Sequence, residues 1–300
     1  MKLPCHALVV LALFVLFLDV QGQVKDSCHH RRIAFHITAP VMTGGSLLGL
    51  KALWYADYPS TSFHWYNDNR EWLQMDKVGH LYSAYQLSAL TGRAAAWACH
   101  DECGALWWTL GLPLVYLGGI EVMDGFARDW GASGGDIIAN LAGSLLFHSQ
   151  QWAWREQRIL LKWSFHSTPY AAYRPSLLGK GFVQEMLKDY NGQTYWASFN
   201  LKSLGLVCGV PDWLSLAVGY GASGMTGAQR NARWPEAAIT IPDDWRTRHF
   251  YLSPDIDLRR ISTHRKGLRL AFQLLNMIKI PLPTMELEAG KGLRFHAFYF

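Results

Sequence analysis

Asp76-Lys77-Val78-Gly79-His80, Glu121-Val122-Met123-Asp124 and Ser133-Gly134-Gly135-Asp136-Ile137-Ile138-Ala139-Asn140-Leu141-Ala142-Gly143 place three polar clusters in segments that are otherwise apolar. Asp76, His80 and Ser83 fall at i, i+4 and i+7. Glu121, Asp124 and Arg128 fall at i, i+3 and i+7, and Asp136, Asn140 and Gly143 repeat the first spacing. Each trio therefore shares one face of a helix, and antiparallel packing would turn the three faces to a common interior. Ionisable groups on such a face are costly to bury unless they pair with one another or hold a ligand. That cost marks the stretch as a candidate site.

Apolar periodicity predicts four helices in the first half, over residues 39–56, 75–97, 104–123 and 133–154, with Ser133 and Asp136 resembling a capping box at the start of the last. Short connections favour an antiparallel bundle. Residues 104–120 carry no charge but sit at the lower limit of length for crossing a membrane. The expectation is therefore a bundle packed on its own core or resting on a membrane, with spanning as the alternative.

After Trp154 the pattern changes to alternation, over Tyr195–Leu201, Trp213–Tyr220, His249–Leu252 and Leu293–Phe300, with one more helix over Gly267–Ile280 stopped by Pro281 and Pro283. Glu288–Gly292 reads as a hairpin turn. A chain ending on Phe300 after alternating aromatics resembles the closing strand of an outer-membrane barrel, but four to six candidate strands fall short of the eight such barrels need. The fold expected is mainly α, with an antiparallel helical bundle of about four apolar helices followed by a smaller mixed α+β region. Its divisions are a signal peptide over 1–22, the bundle over 23–155 and the C-terminal region over 156–300.

Lys2, the apolar run Ala7–Leu18 and small residues before Gln23 make a secretory signal cleaved before Gln23, which places the protein in the cell envelope, periplasmic or membrane-associated. Export leaves Cys28, Cys99, Cys103 and Cys208 where disulfides persist, with the pairing left open. Residues 1–150 hold 9 Lys and Arg against 12 Asp and Glu, and residues 151–300 hold 19 against 11, so the second half is basic. The basic residues are scattered and no nucleic-acid motif occurs, so the candidate partners are membrane lipid or a cell-wall component and not nucleic acid.

The order and spacing of the three motifs resemble the YfiM-like family of predicted periplasmic lipoproteins, of unknown function, and more distantly the VanZ-like membrane proteins. The likeness covers roughly residues 70–150. Leu187–Trp196 also looks like a segment of longer family members. The resemblance implies no catalytic role, and neither Cys5 nor Cys28 has the small, apolar context of a lipid-attachment cysteine.

Two readings of the motif residues stand side by side. In the functional one, His80, Glu121 and Asp124 do acid–base work, and Asp76, His80, Glu121 and Asp136 hold a divalent metal, since a carboxylate orients an imidazole and a metal gathers carboxylates. In the structural one, Asp76, Ser133 and Asp136 cap helices, Lys77 forms a salt bridge, and Asp124 and Arg128 form an ion-pair network with Glu121. Asn140 is then a satisfied core amide, and Gly143 permits close helix packing. Three functions follow: a structural or interaction protein of the envelope, a metal-assisted hydrolase or transferase acting on a lipid-linked or cell-wall substrate, and a lipid or small-ligand binding module. No G-x-S-x-G, H-E-x-x-H or P-loop is present.

Overall fold

The structure, a computed structural model, describes residues 28–55 and 59–300, without the side chains of residues 53 and 54. The expected signal peptide and its cleavage before Gln23 lie outside the described residues. The chain divides into two compact units. One contains residues 28–68 and 83–155, and the other residues 69–82 and 156–300.

The first unit is helical. Helix α1 runs Cys28–Leu50 and continues as a π-helical turn, Lys51–Tyr55. Helix α2 runs Met75–Trp97, matching the range predicted from periodicity, and its residues from Ser83 onward belong to this unit. Helix α3 runs Glu102–Gly125 and α4 Gly134–Trp154. Ser133 is the N-cap of α4, and its hydroxyl accepts the Asp136 backbone N–H at 3.1 Å, as the capping reading required. Phe35 and Ala39 of α1 pack on Ala94 and Ala95 of α2 and on Ala98 just past its end, while Tyr85 meets Phe147 edge-on at 5.6 Å. A disulfide joins Cys28 to Cys99, whose Cα atoms are 5.5 Å apart, and ties the start of α1 to the end of α2. Cys103 and Cys208 are free and exposed.

The second unit is built on a six-stranded antiparallel sheet in sequence order: β1 Ile159–Phe165, β2 Gln193–Asn200, β3 Leu214–Ser223, β4 Thr247–Ile256, β5 Leu282–Glu288 and β6 Gly292–Tyr299. Short helices α5 Tyr170–Tyr173, α6 Pro175–Leu178 and α7 Phe182–Lys188 lie between β1 and β2, and α8 Lys266–Leu275 precedes β5. This sheet corrects the expectation of a mainly α protein. With eight α-helices and six strands among the described residues, the fold is mixed α and β with a helical first part. Two of the strands were not expected. Arg155, Glu156, Arg158 and Lys162 break any apolar alternation over 155–162, yet Lys162 sits inside β1 with its ammonium group buried. Pro281 and Pro283 read as a stop, yet Pro283 occupies the second position of β5, where the strand tolerates a missing N–H.

The alternation of the strands runs opposite to that of an ordinary soluble sheet. The enclosed face carries Thr194, Ser198 and Asn200 from β2, Ser215 from β3, His249, Ser253 and Asp255 from β4, and Thr284, Glu286 and Glu288 from β5, all buried. The fully buried Trp196 lies among them. It crosses Gly219, where a Cβ would come within 2.7 Å of the indole, so this position requires glycine. The outer face carries exposed apolar residues in cross-strand rows. One row is Val218, Leu252, Met285 and Phe295, and the next is Phe250, Leu287 and Leu293. The sheet curls, so that Tyr299 of β6 touches Thr194 and Trp196 of β2. The free edge of β1 pairs in parallel with Met277–Lys279, through Trp163.

A polar interior is stable only when its charges are paired. Lys162 donates to Asp255 at 2.7 Å and to the Ile256 carbonyl at 2.8 Å. Lys279 lies 3.7 Å from the same carboxylate and donates to Ser253 and to the Pro254 and Ile280 carbonyls. Ser198 adds a hydrogen bond to Asp255 at 2.6 Å. Removing this carboxylate would leave two buried ammonium groups facing each other. Asp255→Ala is expected to cost about 3–5 kcal/mol or to prevent folding, whereas the exposed Asp244→Ala should change stability by less than about 0.5 kcal/mol. Paired denaturant titrations measure the contrast.

Candidate functional site

The motif residues fall into two groups, one in each unit. In the second unit Asp76 and His80 lie on successive turns of α2, so helical spacing puts them on one face, with His80 Nε2 3.9 Å from Asp76 Oδ1. Lys77 donates to Asp76 Oδ2 at 3.1 Å, and the Tyr190 hydroxyl donates to Oδ1 at 2.7 Å. Burial acts to raise the Asp76 carboxyl. The His80 and Lys77 charges and the hydrogen bonds from Tyr190 and Lys77 outweigh it, and the group is held below its ordinary value.

The backbone entering this turn is strained. Trp72, Leu73 and Gln74 have φ of 47°, 50° and 66°, in the left-handed region that costs about 1 kcal/mol or more for each residue carrying a Cβ. Several bonds hold it there. The Trp72 N–H donates to the Ala228 carbonyl at 2.8 Å, the Tyr220 hydroxyl donates to the Leu73 carbonyl, and Arg248 donates to the Gln74 side chain at 2.7 Å. Met75 is fully buried against Ala222 and Met225. The strained turn therefore fixes where α2 begins and where Asp76 stands.

In the first unit Glu121, near the C-terminal end of α3, is 3% exposed and accepts the Ser133 backbone N–H at 3.0 Å. Ser133 in turn donates its hydroxyl to Asp68 at 2.5 Å. Glu121 thereby links the end of α3 to the cap of α4. Asp136, Asn140 and Gly143 are buried along one face of α4, as the helical spacing predicted, and Ser144 is buried beside them. Asp124 accepts from the Tyr55 hydroxyl and the Trp130 indole N–H, each at 2.6 Å. Arg128 lies beyond the end of α3. Its side chain is exposed and pairs with the neighbouring Asp129 at 3.8 Å, in place of the expected network with Glu121 and Asp124. The continuous i, i+7 spacing failed there because the helix stops at Gly125, three residues earlier.

The sequence reading missed Asp68, Tyr55, Trp130 and Tyr190 as partners of the motif. Tyr190 belongs to the Leu187–Trp196 segment already singled out, but its separation from Asp76 by 114 residues left no local signal. Asp68 lies between the helices predicted over 39–56 and 75–97, where no periodicity marks a partner.

Residues 64–148 match the model of a family described as "Predicted periplasmic lipoprotein (DUF2279)". The match supports a periplasmic setting and spans the three motifs; the family is one of unknown function. No curated protein and no solved structure matches the chain. The sulfur of Cys28 is bonded to Cys99, so this thiol is not a point of lipid attachment.

Because the Asp76 carboxyl is held low in the folded state, its ionised form stabilises the fold above the unfolded value of about 3.9, and the contribution disappears as pH falls through the lower folded value. Asp76→Asn is therefore expected to lower stability by about 1–2 kcal/mol at neutral pH, with the gap to the parent protein closing below about pH 4. Melting curves across pH measure this, and a gap that persists unchanged in acid would contradict it.

Proposed function

We propose that this chain is a structural protein of the cell envelope that seats the outer face of its sheet in membrane lipid. The observation that carries the reading is the inverted polarity of the sheet, with serine, threonine and charged residues enclosed and leucine, valine, methionine and phenylalanine outside. In water each half-exposed side chain of that band forgoes roughly 1 kcal/mol of burial, and a contiguous apolar patch of this kind marks an interaction surface. The chemistry of the band favours lipid. Its inner rows hold no charged side chain, and β3 and β4, at ten residues each, have about the length of hydrocarbon-crossing strands. Two helices, Cys28–Leu50 and Glu102–Gly125, are also long and apolar enough to cross a membrane, and few of their residues are buried. The resemblance of the motifs to the YfiM-like and VanZ-like families supports an envelope setting. The Glu121–Ser133–Asp68 cluster has a structural part in this reading, holding α3 to the start of α4.

Flotation with phosphatidylcholine vesicles tests the proposal. The protein should rise with the vesicles and stay bound in molar salt, because the contact is apolar and salt screens charge. Val218→Glu with Leu252→Glu should leave it unbound with its near-ultraviolet dichroism intact. Parent protein that sediments free of vesicles, or that salt releases, would overturn the reading.

A second reading is favoured by the Asp76–His80 pair, an imidazole and a carboxylate on one helical face. In it a divalent metal is held by that pair and serves a hydrolase or transferase acting on a lipid-linked or cell-wall substrate. Elemental analysis of protein purified without chelator decides it. Stoichiometric metal lost in a folded His80→Ala variant would support the site, and metal-free parent protein that binds none on titration would reject it.

A further inference from the structure

On the enclosed face of the sheet, three side chains from neighbouring strands form a chain of hydrogen bonds. The Ser223 hydroxyl at the end of β3 lies 2.8 Å from His249 Nε2 on β4, and His249 Nδ1 lies 2.6 Å from Glu286 Oε1 on β5. The register explains how they meet. Ser223 is paired with Thr247 and Glu286 with Tyr251, so His249 is the diagonal neighbour of both and points to the same side. Glu286 is fixed a second time by His296 of β6, whose Nε2 lies 2.5 Å from its other oxygen.

The carboxylate determines the tautomer. Nδ1 facing Glu286 carries the proton, which leaves Nε2 as the acceptor and makes Ser223 the donor to it. This is the arrangement that turns a serine into a nucleophile: a base within hydrogen-bond reach of the hydroxyl, and a buried acid orienting the base. His249 and Glu286 are 7% and 4% exposed, whereas Ser223 is only half-buried, so the base and acid are shielded and the nucleophile is open to attack a substrate. Gly224, which follows Ser223 with φ of 77°, lets the chain turn sharply against the Trp245 carbonyl; a Cβ there would come within 2.1 Å of that oxygen.

We propose that Ser223, His249 and Glu286 form a nucleophilic triad that hydrolyses carboxylic esters. Ser223 Oγ adds to the ester carbonyl carbon as its proton passes to His249 Nε2. The adduct collapses with cleavage of the C–O bond, and the leaving alcohol takes that proton. Water then adds to the acyl-serine, giving a proton to His249, and collapse releases the carboxylic acid and restores Ser223. Esters suit the site better than amides because an alkoxide leaves more readily than an amine. The site lies outside the residues matched by the family model and is independent of the membrane reading, since a short soluble ester is enough to test it.

The test uses full-length protein in mild detergent, with p-nitrophenyl butyrate as substrate and a fluorophosphonate as covalent probe. The expected result is hydrolysis together with a phosphonyl adduct mapped by mass spectrometry to Ser223. Ser223→Ala should lose the adduct and lower kcat/KM by at least about 100-fold, and Glu286→Gln should slow both hydrolysis and labelling. Folded parent protein with neither adduct nor hydrolysis above the Ser223→Ala level, or an adduct on another residue, would overturn the proposal. The parent protein's own labelling decides the matter even if a variant fails to fold.

Discussion

Two lysine ammonium groups, from Lys162 and Lys279, converge on the carboxylate of Asp255 inside a sheet where none of the three side chains is more than 1% exposed. Leaving any of them uncompensated would cost several kcal/mol, so the cluster is tolerable only because its charges are paired and further hydrogen bonds join it to Ser198, Ser253 and the surrounding carbonyls. The network is the condition under which the sheet can put its polar face inside. Once that face is enclosed, the pleat leaves no choice about the other, because a period of two sends every intervening residue outward. The apolar outer rows are therefore the counterpart of the buried charges, and both follow from one register.

The same register sets up the second polar group of the sheet. Ser223, His249 and Glu286 are distant in sequence and individually ordinary. They meet because antiparallel pairing makes them diagonal neighbours on the enclosed face. The helical unit solves a similar problem differently. Its polar residues work at helix ends, where backbone groups lack intrahelical partners: Ser133 caps α4, Glu121 accepts the N–H of that cap, and Asp68 accepts a hydrogen bond from the serine hydroxyl.

Helices were legible in the sequence because their signal is local. The range of α2 and the cap of α4 both follow from spacing within a few residues, and the burial of Glu121 and Asp136 follows from their apolar surroundings. Arg128 was misplaced because periodicity does not say where a helix ends. The strands were harder to read. Four were visible as alternating aromatics, but β1 was hidden by Lys162 and β5 by its prolines. In both cases the misleading residue makes sense only beside a partner far along the chain. The inversion of the sheet was hidden for the same reason, since alternation shows that two faces differ but not which one is enclosed. The triad lay further out of reach, being a property of strand pairing and of no local motif.

The account stands or falls on what surrounds the outer rows of the sheet. With Cys103 and Cys208 replaced by serine, single cysteines at Val218 and Leu252 can carry a small fluorophore in protein reconstituted into vesicles. Lipids labelled along the acyl chain should quench both positions strongly, and aqueous iodide should reach neither. Free access of iodide with no quenching from the acyl chains would show that the apolar face meets water or protein, and would contradict the account.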